Sequence, residues 1–371
     1  MKIFVVFGTR PEAIKMIPVI LEIKKQGLSV VICNTAQHRQ MLDQVLNFFD
    51  IVPDYDLDLM QPNQHLNQLS ARLLERLDTI LQNEQPDVVL VHGDTTTSSI
   101  SAMVAFHKGI KVAHIEAGLR TYNMESPFPE EVNRQITARL AHFHFAPTTK
   151  AKSNLLNEKI PEEKIVVTGN TIVDALDLAK DIVSKSKMNK EILSLESKLN
   201  LDKRLILVTG HRRESFAQGL ASICEALIEL SQFDNINIVY PVHFNPHVQE
   251  TVYNLLKEQP NIYLINPVSY PTMLWLLDKA AFIISDSGGI QEEAPSFNKK
   301  ILVTRNHSER LEGLDQGFSK LVGTNKKTIL KEAIKLLTNP ENLDILKNPY
   351  GDGKAAGRII NHIRKNLNPK V

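Results

Sequence analysis

Short runs rich in valine and isoleucine alternate with longer amphipathic segments along most of the chain. The runs lack an apolar–polar alternation, so the strands they predict are buried on both faces. The segments between them, such as residues 12–26 and 65–82, repeat apolar residues every three or four positions, as amphipathic helices do,. This pattern predicts a doubly wound parallel sheet. The strand-like runs are KIFVVFG, SVVICNTA, DVVLVHG, KVAHIEAG, FHFAP, IVVTG, LILVTG, NIVYPVH, NIYLINP, AFIISDS and KILVTR.

The length of the chain and a restart of this pattern predict two domains. The 371 residues exceed the roughly 250–300 at which a single core stops growing. Residues 184–204 are rich in lysine and serine and show no strand pattern,. We therefore expect an α/β protein with two doubly wound, Rossmann-like domains, residues 1–184 and 185–371, that face a central cleft. The sequence does not show where the last amphipathic segment, residues 355–368, docks; the N-terminal domain is one option.

Charge and composition exclude several classes of protein. A net charge of +1 provides no bulk attraction to nucleic acid or to an anionic membrane,. No apolar run reaches the roughly 18 residues of a membrane helix. The N-terminal IFVVFG is soon followed by Arg10, Glu12 and Lys15, which favours a core strand over a signal peptide,. Cys33 and Cys224 lie inside apolar patterns, so we expect reduced core residues of a cytoplasmic protein,.

Unusual polar residues gather just after five of the predicted strands, where parallel sheets bind ligands. The five segments are GTRPEAIK (8–15), HGDTTTS (92–98), HIEAGLRT (114–121), TGHRRES (209–215) and SDSGGIQEE (285–293). The acids Asp94, Glu116, Glu130 and Glu131 suit proton transfer, although a helix cap or a surface ion pair is the alternative for each,. The glycines of the fifth segment let an anion approach backbone N–H groups,. Glu292 and Glu293 in the same segment would repel an anion unless they face another group.

Basic residues at two of these openings predict an anionic ligand. Arg10 and Lys15 follow the first strand, and residues 211–213, His-Arg-Arg, follow the first strand of the second half,. Solvated charges are the alternative. No G-x-G-x-x-G follows the first strand and no Walker A loop is present, and Pro246 interrupts the His243–His247 pair,. We therefore expect no nicotinamide cofactor and no catalytic metal.

Ten motifs together resemble the non-hydrolysing UDP-N-acetylglucosamine 2-epimerases of bacteria. They are FGTRPEAIKM, TAQHRQMLDQVL, VLVHGDTTT, HIEAGLRT, SPFPEE.NR, TGNTIVDAL, TGHRRESF, YPVHFNP, DSGGIQEEAPS and NPYGDG, and the match runs from Lys2 to about Gly353. The resemblance implies a GT-B fold, a homodimer and the reversible conversion of UDP-N-acetylglucosamine to UDP-N-acetylmannosamine for surface polysaccharides. It also implies anti elimination of UDP to 2-acetamidoglucal, followed by re-addition, without a cofactor.

Roles for individual residues follow from the same resemblance. Asp94, Glu116 and Glu130 correspond to the family's catalytic carboxylates, and His211 to its catalytic histidine. Glu293 would accept hydrogen bonds from the ribose hydroxyls, so that it faces neutral sugar and not phosphate. The residues expected to bind substrate are Arg10, Lys15, Ser287, Gly288, Gly289, Glu293 and Arg310. Those expected at a second, activating substrate site are Gln37, Gln40, Arg212 and His243, with Glu130 between the two ligands.

Three other functions stay open at this point. A hydrolysing epimerase would release N-acetylmannosamine and UDP, a GT-B glycosyltransferase would need an acceptor groove, and a nucleotide-sugar sensor would need no proton-handling groups. The chain departs from the family pattern at Asn298, where glycine is common, and at Leu311, where proline is common. Asparagine tolerates the left-handed conformation of a helix end, so we expect Asn298 to be harmless. Leu311 loosens a turn beside Arg310 and Glu312.

Overall fold

The chain forms two compact units. The computed structural model describes residues 1–36, 39–61, 64–185, 189–210, 218–308, 310–341, 343 and 345–367. The first unit comprises Met1–Ala179 together with Tyr350–Val371, and the second comprises Lys180–Pro349. The division lies inside the helix Thr171–Lys185, whereas the sequence placed the junction after residue 184.

The first unit contains a parallel sheet of seven strands in the order β3-β2-β1-β4-β5-β6-β7. Its strands are β1 (Lys2–Phe7), β2 (Ser29–Asn34), β3 (Tyr55–Asp56), β4 (Val88–His92), β5 (Lys111–Ile115), β6 (Phe143–Ala146) and β7 (Ile165–Val167). Its helices are α1 (Arg10–Lys25), α2 (Arg39–Phe48), α3 (Leu66–Glu84), α4 (Thr96–His107), α5 (Glu130–Leu140), α6 (Thr149–Asn157), α7 (Thr171–Lys185) and, from the C-terminal segment, α15 (Ala355–Leu367). Helix α7 continues into the second unit.

The second unit contains a parallel sheet of six strands in the order β10-β9-β8-β11-β12-β13. Its strands are β8 (Arg204–Thr209), β9 (Ile236–Pro241), β10 (Ile262–Ile265), β11 (Ala280–Ser285), β12 (Ile301–Val303) and β13 (Ser319–Leu321). Its helices are α8 (Lys190–Glu196), α9 (Gln218–Ser231), α10 (Pro246–Leu256), α11 (Tyr270–Lys279), α12 (Gly288–Glu293), α13 (Leu311–Asp315) and α14 (Lys326–Thr338).

Each sheet has the strand order of a Rossmann fold, so the predicted fold class of two doubly wound α/β domains is confirmed,. In such a sheet the ligand binds beyond the carboxyl ends of the two strands at which the order reverses. These strands are β1 and β4 in the first unit and β8 and β11 in the second. Four of the five polar segments found in the sequence follow these strands, and the fifth follows β5.

The strands are buried because helices cover both faces of each sheet. Every residue of β4 is buried, as are residues 3–7 of β1. Cys33 and Cys224 are free thiols in the core, as predicted. Burial raises the pKa of the Cys224 thiol to about 12, so it stays protonated,.

Helix α15 returns to the first unit and packs against α1. The side-chain amide of Gln26, at the end of α1, donates to Asn361 at 2.9 Å. The imidazole of the next residue, His362, lies edge-on to the rings of Phe143 and Phe145, with centroids 5.6 and 5.7 Å away. These contacts locate the helix that the sequence could not assign to a domain.

Candidate active site

The turn after β1 is fixed by a capping box at the start of α1. Thr9 is the N-cap, and the Glu12 carboxylate accepts hydrogen bonds from the backbone N–H groups of Gly8 at 3.1 Å and Thr9 at 2.8 Å. A reciprocal cap of this kind satisfies N–H groups that the first helical turn leaves without partners. It also holds Arg10 at the first position of the helix.

Glu12 joins this turn to the turn after the neighbouring strand β4. Its Oε1 accepts hydrogen bonds from the hydroxyls of Thr95 at 2.6 Å and Ser98 at 3.1 Å. Glu12 is only 2% exposed, and this burial raises the pKa of its carboxyl although the hydrogen bonds oppose the rise,. The network therefore fixes two adjacent loops, one carrying Arg10 and the other Asp94.

Glu116 directly follows β5 in a left-handed backbone conformation, with a φ of 63°. Its Oε2 forms a salt bridge with the Nζ of Lys15, and both side chains are buried. The same oxygen accepts a hydrogen bond from the side-chain amide of Asn170 at 2.9 Å. Lys15 is therefore not the solvated charge that the sequence left as an alternative. It is the buried counter-ion of a carboxylate.

His92, at the end of β4, is the other titratable group described beside Glu116. Its Nε2 lies 3.6 Å from Oε2 of Glu116. Burial lowers the pKa of His92 to about 4, although the charge of Glu116 opposes this shift,. The imidazole is consequently neutral near pH 7, and Lys15 provides the positive charge beside Glu116.

Asp94 follows β4 and has its own cation. The guanidinium of Arg134 donates to its Oδ2 at 2.6 Å, and the Asp94 side chain is 27% exposed. Arg134 also lies 3.5 Å from the buried carboxylate of Glu131. Glu131 accepts hydrogen bonds from the backbone N–H groups of Thr121 at 2.9 Å and Tyr122 at 3.1 Å, so it orders the loop that follows β5.

Glu130 is the first residue of α5, after Pro129, as the sequence predicted. Its side chain is half-buried, and it lies one helical turn before Arg134. Helix α5 therefore carries one predicted carboxylate and the counter-ion of a second.

In the second unit, the turn between β11 and α12 is built around Ser287. Its hydroxyl caps the helix at the N–H of Ile290, and its own N–H donates to the Ser285 hydroxyl at 3.0 Å. A Cβ at Gly288 would lie 3.1 Å from Cζ of Arg310, so only glycine fits without displacing the guanidinium,. Gly289 is exposed, and a Cβ there would approach only the Ser287 hydroxyl.

The two consecutive glutamates of this turn have different environments. Glu292 is 2% exposed and accepts a hydrogen bond from Nε of Arg310 at 3.0 Å. Its negative charge is thus compensated within the protein. Glu293 is 8% exposed at the end of α12. The predicted substrate-binding residue Arg310 therefore also serves as the counter-ion of Glu292, a pairing that the sequence did not indicate.

Several predicted residues cannot be placed in this geometry. His211, Arg212 and Gln37 lie outside the described residues, and of Gln40 only its position in α2 is described. His243 precedes α10, and its Nδ1 accepts a hydrogen bond from the backbone N–H of Asn245 at 3.1 Å. Pro246 starts α10 instead of breaking a helix, so the two histidines of this segment do not share a helical face,.

Three residues of the first-unit site were not predicted from the sequence: Glu12, Arg134 and Asn170. Glu12 could have been found as the third residue after Thr9 in a capping-box pattern,. Arg134 lies four residues after Glu130, one turn along the same helix, which is a weak signal. Asn170 is 54 residues from Glu116, and no local pattern connects them.

Among the residues that the structure describes, no group of three or more His, Cys, Asp or Glu side chains is arranged to hold a metal ion. No helix in this part of the chain is long and apolar enough to cross a membrane.

Residues 21–364 match the family model described as UDP-N-acetylglucosamine 2-epimerase. The chain is 50% identical over 377 residues to the UDP-N-acetylglucosamine 2-epimerase of Campylobacter jejuni, covering 99% of this chain and 98% of that protein. It is 48% identical over 370 residues to the enzyme of the same name from Salmonella typhimurium, covering 98% of each chain.

A solved structure resembles the whole chain. It is the UDP-GlcNAc 2-epimerase from Neisseria meningitidis bound to UDP-GlcNAc, with a TM-score of 0.93 and 44% identity over 99% of this chain and 100% of that one. Two Rossmann-like units with charged side chains at their strand ends are typical of α/β proteins that bind a ligand beyond the carboxyl ends of their strands. The chain belongs to the UDP-N-acetylglucosamine 2-epimerase family and is an isomerase.

Proposed function

We propose that this protein interconverts UDP-N-acetylglucosamine and UDP-N-acetylmannosamine without hydrolysis, by elimination and re-addition of UDP. Family membership supports the substrate. The observation that carries the mechanism is the pair of carboxylates, Asp94 and Glu116, that follow adjacent strands, each with a buried cation. A reaction that inverts one carbon needs proton-handling groups on both faces of the sugar.

The chemistry explains why UDP must leave. Carbon 2 has no adjacent carbonyl group to acidify its proton, so direct removal and return of that proton is slow. If a base takes the proton while the bond from carbon 1 to the diphosphate oxygen breaks, the carbon–hydrogen electron pair forms a double bond between carbons 1 and 2. The products are 2-acetamidoglucal and UDP. Re-addition forms the carbon 1–oxygen bond again and places a proton on the opposite face of carbon 2.

Asp94, Glu116 and Glu130 are the groups that we propose for these proton transfers. The charged form of a buried carboxylate is stabilised by an adjacent cation, and the charged form is the one that accepts a proton. Lys15 and Arg134 provide this stabilisation for Glu116 and Asp94.

The cationic and glycine-containing turns suit the leaving group. We assign Arg10 and His211 to the diphosphate, whose negative charge increases as the bond to carbon 1 breaks. In the second unit, Ser287, Gly288 and Gly289 would bind phosphate through backbone and hydroxyl groups,. Because Arg310 neutralises Glu292, this turn repels an anion less than its two consecutive glutamates would suggest. Glu293 would accept hydrogen bonds from the ribose.

Three extensions of this proposal concern regulation, assembly and pathway. Gln37, Gln40, Arg212 and His243 would bind a second substrate molecule that activates the enzyme, and two copies of the chain would form a homodimer. The product would supply surface polysaccharide synthesis. A strictly hyperbolic dependence of rate on substrate, with full reverse reaction from UDP-N-acetylmannosamine alone, would contradict the activation.

The direct test is product analysis by anion-exchange chromatography after separate incubations with each nucleotide sugar. The proposal predicts the same equilibrium mixture of the two nucleotide sugars from either direction, without free sugar. Stoichiometric release of N-acetylmannosamine and UDP would instead identify a hydrolysing enzyme. Nucleotide-sugar binding without any conversion would contradict the catalytic assignment.

A further inference from the structure

Two of the sequence motifs, TGNTIVDAL and NPYGDG, form one structural element in the first unit. The backbone N–H of Asn170 donates to the carbonyl of Tyr350 at 2.7 Å. Gly169 and Gly351 both have positive φ, 89° and 136°, and a Cβ at Gly351 would lie 3.3 Å from Cα of Gly169. The two chain segments therefore pack backbone against backbone, which explains Gly169 in the first motif and Gly351 in the second,.

Helix α15 is tied to the same element. The Asp174 carboxylate accepts hydrogen bonds from the backbone N–H groups of Ala355 at 3.2 Å and Ala356 at 2.9 Å, which start the helix. Arg358, in its first turn, donates to the carbonyl of Thr168 at 2.9 Å. The segment that begins at Tyr350, where the chain re-enters the first unit, is thereby held against residues 168–174.

The side chain of Asn170 points from this element to Glu116. Asn170 is 4% exposed, and its Oδ1 accepts a hydrogen bond from the backbone N–H of Ile172 at 3.0 Å. Because only an oxygen can accept from that N–H, the orientation of the amide is defined. Its Nδ2 then donates to Oε2 of Glu116 at 2.9 Å.

We propose that Asn170 is a positioning residue for Glu116, and that the returning segment at Tyr350 holds it in place. The inference rests on the proposed function, in which Glu116 transfers a proton. Glu116 has a left-handed backbone conformation, which is uncommon for residues other than glycine, and its carboxylate must be held in one orientation to act on the substrate,. Lys15 and Asn170 contact the same oxygen, so together they restrain the orientation of the carboxylate.

Two substitutions separate this role from a purely structural one. Serine and aspartate both retain an oxygen that can accept from the N–H of Ile172 at the start of α7, so Asn170→Ser and Asn170→Asp keep the cap. Asn170→Ser removes the donor to Glu116, and Asn170→Asp replaces it with a negative charge. Lys15 and His92, which both lie beside Glu116, are unchanged in these variants.

The experiment measures kcat, KM and the pH dependence of kcat for epimerisation, together with thermal unfolding. We expect kcat to fall about tenfold to a hundredfold in both variants, with KM within about threefold of wild type. The acidic limb of the pH profile of kcat should move to higher pH in both variants, because the charged form of Glu116 loses a hydrogen-bond donor. The move should be larger for Asn170→Asp, because the new carboxylate also repels the charged form of Glu116. Asn154→Ser is the matched control, since Asn154 is a buried asparagine that donates to the carbonyl of Gly118 at 2.9 Å.

The outcomes distinguish this inference from the proposed function. Wild-type conversion of UDP-N-acetylglucosamine, together with folded Asn170 variants that keep the wild-type kcat and pH profile, would overturn the positioning role alone. The same shift of the acidic limb in Asn154→Ser would also overturn it, because the shift would then be a general effect of a buried substitution. Absence of conversion by the wild-type enzyme would instead refute the proposed function.

Discussion

Arg134 donates a hydrogen bond to the carboxylate of Asp94 at 2.6 Å, from a guanidinium side chain that is 4% exposed. The arginine belongs to α5, whose first residue is Glu130. A single helix therefore connects two of the three carboxylates that we assign to catalysis. Because Glu131 on the same helix also orders the loop after β5, the position of α5 also affects the loop that begins with Glu116.

Replacing Arg134 with methionine should destabilise the protein and lower its activity. The change removes the guanidinium that pairs with the fully buried side chain of Glu131 and with the carboxylate of Asp94. Loss of one partner from a buried pair costs about 3–5 kcal/mol in free energy of unfolding. Urea denaturation followed by circular dichroism measures this loss. Arg139→Met, an exposed position on the same helix, should change stability by less than about 1 kcal/mol,, and an equal loss in both variants would contradict the assignment.

Neutral replacements of the three carboxylates should reduce turnover with the fold intact. We expect Asp94→Asn, Glu116→Gln and Glu130→Gln each to lower kcat by about a hundredfold to ten-thousandfold, the range that general acid–base catalysis provides. Steady-state kinetics and thermal unfolding of each variant measure the two properties separately. The exposed Glu75 on α3 provides the control Glu75→Gln. Near-normal rates in all three variants would refute the site.

Glu293→Ala should mainly weaken nucleotide binding. Loss of a carboxylate that accepts hydrogen bonds from ribose hydroxyls should raise the Kd for UDP about tenfold to a hundredfold. Isothermal titration with UDP measures this change, and Glu258→Ala, at an exposed position of the same unit, is the control. An unchanged affinity for UDP would remove Glu293 from the nucleotide site.

Three buried histidines should make the protein sensitive to acid. They lie on adjacent strands β4, β5 and β6, and burial lowers the pKa of His92 to about 4, of His114 to about 3 and of His144 to about 4. The unfolded chain takes up these protons near pH 6.5, before the folded protein does,. Stability is therefore fully present above pH 6.5 and falls as the pH drops toward 4.

His144→Gln should remove the part of the pH dependence of stability that His144 causes. The lowering of the His144 pKa from 6.5 to about 4 corresponds to a contribution on the order of 3 kcal/mol to the free energy of unfolding, which is present above pH 6.5 and lost below pH 4,. Urea unfolding midpoints measured from pH 7 to pH 4.5 should fall less steeply in the variant than in the wild type. His107→Gln, at an exposed position of α4, should leave the slope unchanged. A wild-type slope in His144→Gln would show that this histidine is not buried in its neutral form.

Much of the fold could be predicted because parallel strands have a strong sequence pattern. All eleven strands expected from apolar runs are present, and both sheets are parallel. The two missed strands, Tyr55–Asp56 and Ser319–Leu321, have the sequences YD and SKL and so lack the valine- and isoleucine-rich run of the others,. Asn298 ends the short 3-10 helix Ala294–Phe297 in the left-handed conformation, with a φ of 54°, which asparagine tolerates,.

The site was harder to predict because its pairs depend on strand order. The location of Asp94 and Glu116 at strand ends followed from the sequence, whereas their partners Arg134 and Asn170 did not. Glu12 reaches Thr95 only because β1 lies beside β4, a neighbour relation between strands that are distant in the chain. The catalytic and binding roles of these residues stay predictions.

The most direct test of the elimination mechanism is proton NMR of the purified protein with UDP-N-acetylglucosamine in deuterium oxide. The signals of the protons on carbons 1 and 2 of the sugar show which nucleotide sugar is formed and whether the proton on carbon 2 exchanges with the solvent. We predict growth of UDP-N-acetylmannosamine that carries deuterium at carbon 2, because a base removes the original proton as UDP departs and a deuteron from the solvent is added when UDP returns. Formation of UDP-N-acetylmannosamine that keeps its original proton at carbon 2 would contradict the mechanism.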